Sequence, residues 1–325
     1  MLPLQAIQAA AALVHRQMPA TPAYPWPLLS QRAGCEVWIK HENHTPIGAF
    51  KIRGGLSYLD DLVHHGRPKG LVTATRGNHG QSIPYAARLH DLPVTVFVPE
   101  GNAEEKNRAM QAWGARLVVS GHDFEAARLA SVAYAEAEGL HLVPSFHPML
   151  VRGVASYALE LFRATEAAGG LDTVYVPIGL GSGICGVIAA RDALGLSTEV
   201  VGVVAEGAEA YALSFEAGRA VSTNAARSFA DGMACRVPVP EAVEAISRGA
   251  ARVLRLTEDE IADAVRWLYR DTHNVAEGAG AAAFAGVMQE RGRLAGKRVA
   301  AILCGGNIDT RLFAEILHGE TPAPL

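Results

Sequence analysis

The residues best suited to chemistry begin with Lys51, in Thr45-Pro46-Ile47-Gly48-Ala49-Phe50-Lys51-Ile52-Arg53-Gly54-Gly55. Pro46 and Gly48 close a loop that runs into an amphipathic helix to about Leu62, with the lysine in its first turn. The positive end of a helix dipole disfavours a protonated lysine there by about 0.3 to 1 kcal/mol. Flanking Phe50 and Ile52 desolvate it, so both effects push its pKa below the usual value of about 10.4. Such a lysine is a candidate for a neutral amine that forms a Schiff base, although a solvated surface lysine is the commoner outcome at a helix start. A second stretch, VPIGLGSGICG, sets a glycine-rich turn between a strand and a helix. Its backbone N–H groups and helix dipole make a seat for an anion such as a phosphate, or else a tight turn without a ligand. A dinucleotide site lacks its G-x-G-x-x-G spacing, with no acidic residue closing the next strand before Glu206, and a P-loop lacks its G-K-[ST]. Two more stretches end strands: TATRGNHGQS, which opens a helix, and AILCGGNID, which carries Cys304.

Positioning these turns requires regular alternation of strands and helices. Strand GLVTAT, helix Asn78 to Leu89, strand PVTVFV, helix AEEKNRAMQAW, strand ARLVVS, helix FEAARLASVAYAEAE and strand HLVPS follow one another with short connections. A second alternating block follows: helix Met149 to Thr165, strand TVYVPIG, helix Ser182 to Leu194 and strand EVVGVVAE. Beyond it come strand ARVLRL, helices Glu258 to Thr272 and Gly278 to Gln289, strand RVAAILCGG and helix Thr310 to Leu317. Such alternation predicts α/β architecture with parallel sheets flanked by helices and ligands at the carboxyl ends of strands. Before it stand a first helix, the proline-rich TPAYPWPLLS, expected to cross a surface, and a strand from Glu36 to His41. The segment Ala208 to Pro240 reads as looser structure.

Lys51 in AFKIRGG, Asn78 in TRGNHGQS, GLGSG from Gly179 to Gly183 and CGGNID from Cys304 occur in that order. Together they resemble the pyridoxal-phosphate (PLP) enzymes of the tryptophan synthase β type, fold type II, on the threonine and serine dehydratase branch. The likeness covers nearly the whole chain. It implies two domains, each with a mainly parallel sheet: a large PLP-binding domain from residues 1–67 and 150–325, and a small domain, 68–149, inserted into it. It also implies that Lys51 carries PLP, that Phe50 packs near the ring, and that Gly179, Leu180, Gly181, Ser182 and Gly183 hold the phosphate. The family's loop has four consecutive glycines; Leu180 and Ser182 replace two of them here. By the same resemblance Asn78 hydrogen-bonds the ring 3-oxygen, Glu277 lies near the ring, and Cys304 faces the pyridine nitrogen. Thr75, Arg76, Gly77, Asn78 and His79 match the loop that holds the substrate carboxylate. A histidine at a helix start is more often structural than catalytic, and His79 is read so.

The activity implied is α,β-elimination of water from an L-3-hydroxy amino acid, threonine, serine or an analogue such as L-threo-3-phenylserine, giving a 2-oxo acid and ammonia, with Lys51 as general base. Alternatives within the family are a 3-hydroxyaspartate dehydratase and an amino acid racemase. Family racemases carry a serine at the position of Arg76; a guanidinium, with a pKa above about 12, cannot shuttle a proton. Arg76 instead orients a substrate group, or is a solvated arginine beside acids. A thiol at Cys304 is a weak donor and leaves the ring nitrogen neutral, which suits elimination. Readings from other classes are a nicotinamide-dependent oxidoreductase and a non-catalytic binding protein. Glu206 matches one of a carboxylate pair that binds a divalent cation in some relatives, but its partner position is Ala212, so no metal site is expected.

With 325 residues, half of them hydrophobic, the chain can bury a large core. A net charge of -4 gives no reason to expect nucleic acid or an anionic membrane as partner. The partners expected are an amino acid substrate and, by family default, a second copy in a homodimer. The four cysteines show no metal-like pairing or disulfide framework, which fits a reducing cytoplasm. The N-terminal MLPLQAIQAAAALVHRQMPA lacks a basic n-region and reads as a helix. The chain stops soon after its last helix, so a regulatory domain and isoleucine feedback are not expected.

Overall fold

The chain opens with α1 (Leu4–His15), β1 (Ala23–Pro25), α2 (Pro27–Ala33), β2 (Glu36–His41) and α3 (Lys51–His65). Next come β3 (Leu71–Ala74), α4 (Asn78–Arg88), β4 (Val94–Val98), α5 (Glu104–Ala112), β5 (Arg116–Val119), α6 (Phe124–Glu138) and β6 (His141–Leu142). Then follow α7 (Pro148–Glu166), β7 (Thr173–Pro177), α8 (Ser182–Ala193), β8 (Glu199–Ala205), α9 (Ala210–Ala217) and α10 (Pro240–Gly249). The remainder is β9 (Arg252–Leu256), α11 (Glu258–Thr272), α12 (Gly278–Glu290), β10 (Arg298–Leu303) and α13 (Thr310–Leu317). The computed structural model describes residues 2–324; Met1 and Leu325, the ends of the expected large domain, lie outside the described residues.

The strands form two sheets. One has six strands in the order β1-β2-β10-β7-β8-β9, all parallel except the antiparallel edge β1, and the other four parallel strands ordered β5-β4-β3-β6. Strands β4 and β7 are buried along their whole length, which is why VTVFV and TVYVP read as near-continuous apolar runs. Helix α12 has eleven consecutive buried positions from Gly278 to Met288, a helix apolar all round and enclosed in the core of the six-stranded sheet. No helix among the described residues is long and apolar enough to cross a membrane.

Helix α3 sits at the seam. Its Ile52, Leu56 and Leu59 pack into the core of the four-stranded sheet with Ile83, Val94, Val96 and Met110, while α7 lies against it from the other side. Each such fully buried side chain contributes about 1.5 to 3 kcal/mol, so the first turn of α3, and Lys51 with it, is fixed by both units. Two expectations are corrected. TPAYPWPLLS does not merely cross a surface: it pairs Ala23–Pro25 with Trp38–Lys40 as an edge strand and then folds α2. Proline is tolerated at a sheet edge and at N1 of a helix, and Gly34 closes α2 in the left-handed conformation. The segment expected to be loose holds α9 and a single turn of tighter helix, Asp231–Met233.

Candidate active site

The loop before Lys51 is bolted to the end of β10. Thr45 Oγ1 accepts from Ala49 N at 2.9 Å, Phe50 N donates to the Cys304 carbonyl at 3.0 Å, and Gly306 N donates to the Gly48 carbonyl at 2.9 Å. Lys51 is therefore the first residue of α3 and is delivered next to Cys304. Its half-buried side chain reaches across to the glycine turn, where Nζ donates to Ser182 Oγ at 3.2 Å, and it lies 5.0 Å from the centre of the Phe50 ring. Burial lowers the amine to about 8, against the smaller upward pull of Cys304 and Glu277. A dozen residues line one cleft here, among them Phe50, Lys51, Gly179 to Gly183, Ala279 and Cys304.

The glycine turn is a close-fitting cradle. Gly181 has φ +95°, the left-handed region that favours glycine, and caps the start of α8. A Cβ on Gly179 would lie 2.3 Å from the Gly232 carbonyl, whereas one on Gly183 would make only ordinary contacts, the nearest 3.6 Å away. Tyr157 donates to the Gly183 carbonyl at 3.1 Å, and Tyr211 donates to the Leu180 carbonyl at 2.9 Å. With carbonyls tied back by two buried tyrosines, the turn's N–H groups and the positive end of α8 are left for an anion.

The second loop ends β3 and starts α4. Two of its donors are engaged within the fold, Thr75 N to the Phe97 carbonyl at 3.0 Å and Gly77 N to Thr75 Oγ1 at 2.9 Å. The first-turn N–H groups of Asn78 and His79 have no intrahelical acceptor and, at the positive end of α4, are left for an anion. Asn78 is held at both ends: its Nδ2 donates to Glu277 Oε1 at 2.6 Å and its Oδ1 accepts from Asn307 Nδ2 at 2.8 Å. His79 is 6% exposed, its Nε2 has no partner, and burial together with the nearby Lys51 amine lowers its pKa to about 3. It is a neutral imidazole. Arg76, partly exposed, makes no ion pair among the described residues, which leaves no support for the alternative of an arginine capped by nearby acids.

Glu277 caps α12 and is 3% exposed; burial raises its carboxyl, and Lys106 pulls the other way. Cys304 is buried too, and burial first, then the Glu277 carboxylate, push its thiol well above the usual range, so it stays protonated. Lys106 and Asp231 belong to this cluster yet escape sequence reasoning, because their meeting depends on tertiary packing; the only local signal is SFADG, a polar turn with an aspartate inside a run of small residues. Glu206 is exposed, Ala212 is buried, and no group of three or more His, Cys, Asp or Glu among the described residues is arranged to hold a metal ion.

The family profile described as pyridoxal-phosphate dependent enzyme matches residues 15–305. The L-threonine ammonia-lyase of Thermotoga maritima is 32% identical over 292 residues, 90% of this chain and 72% of that protein. The L-threo-3-hydroxyaspartate ammonia-lyase of Saccharomyces cerevisiae is 29% identical over 305 residues, 94% of this chain and 93% of that protein. Among solved structures, the threonine deaminase of T.th. superposes with a TM-score of 0.89 at 30% identity, covering 95% of this chain and 99% of that one.

Proposed function

The chain belongs to the pyridoxal-phosphate dependent enzymes and is a PLP-dependent lyase, and we propose that Lys51 is its catalytic residue and an L-3-hydroxy amino acid its substrate. The observation that carries the reading is the Lys51 amine, held by burial at about 8 and lying 3.2 Å from Ser182 Oγ of the anion cradle. The residues present fit the cofactor: a lysine of lowered pKa, a glycine turn whose N–H groups would receive a phosphate, an asparagine fixed by two partners and a neutral buried thiol. When bound, PLP supplies the electron sink that makes an amino acid's α-proton removable.

The remaining work falls to the chain. Gly179, Gly181, Ser182 and Gly183 bind the phosphate through their N–H groups and the start of α8. With the cofactor bound, Asn78 would orient the ring through its remaining N–H, Phe50 would pack beside it, and Cys304 would offer a neutral, weak donor to the ring nitrogen. The loop from Thr75 to His79 holds the substrate carboxylate at the start of α4. Lys51 Nζ takes the α-proton; an amine near 8 exchanges protons readily at neutral pH, where one at about 10.4 would remain charged. Neutral His79, buried near the Lys51 amine, adds no competing cation. Arg76, without a carboxylate of its own, is available to a second carboxylate on the substrate, which favours 3-hydroxyaspartate over 3-phenylserine. The nicotinamide reading has no support among the relatives.

We also take the two sheets as two domains, residues 1–67 with 150–325 and residues 68–149, with α3 as their shared wall. The four buried free cysteines support a reducing cytoplasm as the working compartment. Steady-state release of 2-oxo acid and ammonia from L-threonine, L-serine, L-threo-3-phenylserine and L-threo-3-hydroxyaspartate tests the substrate reading. At least one is turned over, and Arg76→Ala selectively slows the dicarboxylic substrate. Negligible rates on all four would reject the dehydratase activity.

A further inference from the structure

A buried cation at the seam between the two sheets has no part in the chemistry described above. Lys106, on α5 beside the four-stranded sheet, is 7% exposed. Its Nζ donates to both oxygens of Asp231, at 2.8 and 2.7 Å, and lies 3.3 Å from Glu277 Oε2. Its stem crosses the substrate loop, since a Cβ on Gly77 would lie 2.7 Å from Lys106 Cδ. Both carboxylates come from the side of the six-stranded sheet, so one cation is shared between two acids in a region poor in water. A bare hydrophobic contact there would avoid the desolvation of three charges.

The hydrogen bonds running on from Glu277 supply a reason for the arrangement. Glu277 Oε1 accepts one N–H of the Asn78 carboxamide, Asn307 donates to its oxygen, and Asn307 Nδ2 also donates to the Ile47 carbonyl at 2.8 Å. A carboxamide has two N–H groups, so one remains uncommitted. A carboxylate accepts that N–H as a charged group, whereas a protonated acid is a weaker, neutral acceptor whose O–H competes for partners in the same place. We propose that Lys106 is a positioning residue that keeps Glu277 a carboxylate, so that Asn78 is locked with its second N–H free for the cofactor's ring oxygen. Lys106 acts through Glu277 and Asn78 without touching the reacting atoms. The inference rests on the PLP reading given above.

The charged groups facing Glu277 decide the sign of the test. Those that carry charge are Lys106 from α5, Asp231 from the turn before α10 and Lys51 at the start of α3, with Asp309 beside Lys106 and Asp231, and the titratable but neutral Cys304 thiol faces it from the end of β10. Burial raises the Glu277 carboxyl, Lys106 lowers it, and Asp231 raises it again. Removing either member of the Lys106–Asp231 pair breaks the same structural link between the sheets, yet the two changes push Glu277 in opposite directions.

The experiment compares wild type, Lys106→Met, Lys106→Arg and Asp231→Asn, each loaded with PLP. It measures cofactor retention by equilibrium dialysis and the pH titration of the bound cofactor's absorbance band. Lys106→Met moves the acid limb of the titration upward and weakens retention at pH 7 by about tenfold to a hundredfold, the worth of a hydrogen bond to a charged group; raising the pH restores retention. Asp231→Asn moves the limb downward, and Lys106→Arg leaves it near wild type. Shifts of Lys106→Met and Asp231→Asn in the same direction, or no shift in either while wild type binds PLP, would overturn the proposal. If Lys106→Met does not fold, Asp231→Asn decides alone: a downward shift supports the proposal, and an upward or absent shift overturns it. A wild-type protein that retains no PLP would remove the underlying reading and this inference with it.

Discussion

Two residues beyond Lys51, the Arg53 guanidinium is wholly buried, and replacing it with methionine tests what holds the first turn of α3 in place. Arg53 Nε and Nη2 grip Glu42 at 2.7 and 2.9 Å, Nη1 and Nη2 reach Glu160 at 2.6 and 2.9 Å, and Nη1 also donates to Ser156 at 2.9 Å. Lys40, equally buried, donates to Glu160 at 2.5 Å and stands 3.9 Å from Glu42. Two cations thus balance two carboxylates. Methionine fills much of the space but leaves the cluster with one uncompensated buried charge, at a cost of about 3 to 5 kcal/mol. At about 2 °C per kcal/mol for a large chain, the thermal midpoint falls by roughly 6 to 10 °C.

The pH dependence adds a second check. Burial alone would raise the Glu160 carboxyl, but Arg53 and then Lys40 hold it at about 2. A depressed carboxyl contributes stability that is complete above its unfolded value of about 4.3 and is lost as pH falls toward the folded value. The gap between wild type and Arg53→Met, measured by urea unfolding from about pH 7 down to about pH 2.5, therefore narrows below about pH 4. Adding Glu42→Gln to Arg53→Met recovers at least about 1 kcal/mol, because the orphaned charge is gone. A loss under about 1 kcal/mol for Arg53→Met, or a gap independent of pH, would refute the reasoning that this cluster acts as a charge-balanced anchor.

Further outcomes follow from the cradle and the amine. Gly179→Ala abolishes PLP retention, because its Cβ would lie 2.3 Å from a backbone carbonyl, while Gly183→Ala, whose new methyl meets nothing closer than 3.6 Å, keeps retention within about tenfold; absorbance titration of both variants checks the contrast. Cofactor-free protein loads PLP at a rate that rises with pH through an apparent pKa of about 8 and levels above it, as followed by stopped-flow absorbance; a rise continuing to about pH 10 would show an unperturbed lysine.

Much of the fold is legible because long parallel strands and helices impose strong patterns. TVYVP, EVVGVVA and RVAAIL announce buried strands, and the turns after them announce where ligands sit. The three-residue β1 and the seven-residue α2 carry too few residues for periodicity, and their prolines read as breakers although each stands where a proline is tolerated. Lys106 reads as one more charge in the EEK start of a surface helix. Only the approach of Asp231 and Glu277 from another part of the chain makes it a buried cation. Arg53 is hidden in the same way, since no local pattern tells that its partners lie just past the end of β2 and on α7.

Reduction of the purified protein with borohydride, followed by peptide mapping, measures most directly whether Lys51 is the residue that carries the cofactor. A yellow protein that bleaches and yields a single phosphopyridoxyl-labelled peptide, modified at Lys51, is the predicted result. Bleaching with the label on Lys40 or Lys106, or a PLP-saturated protein that takes no label at all, would contradict it.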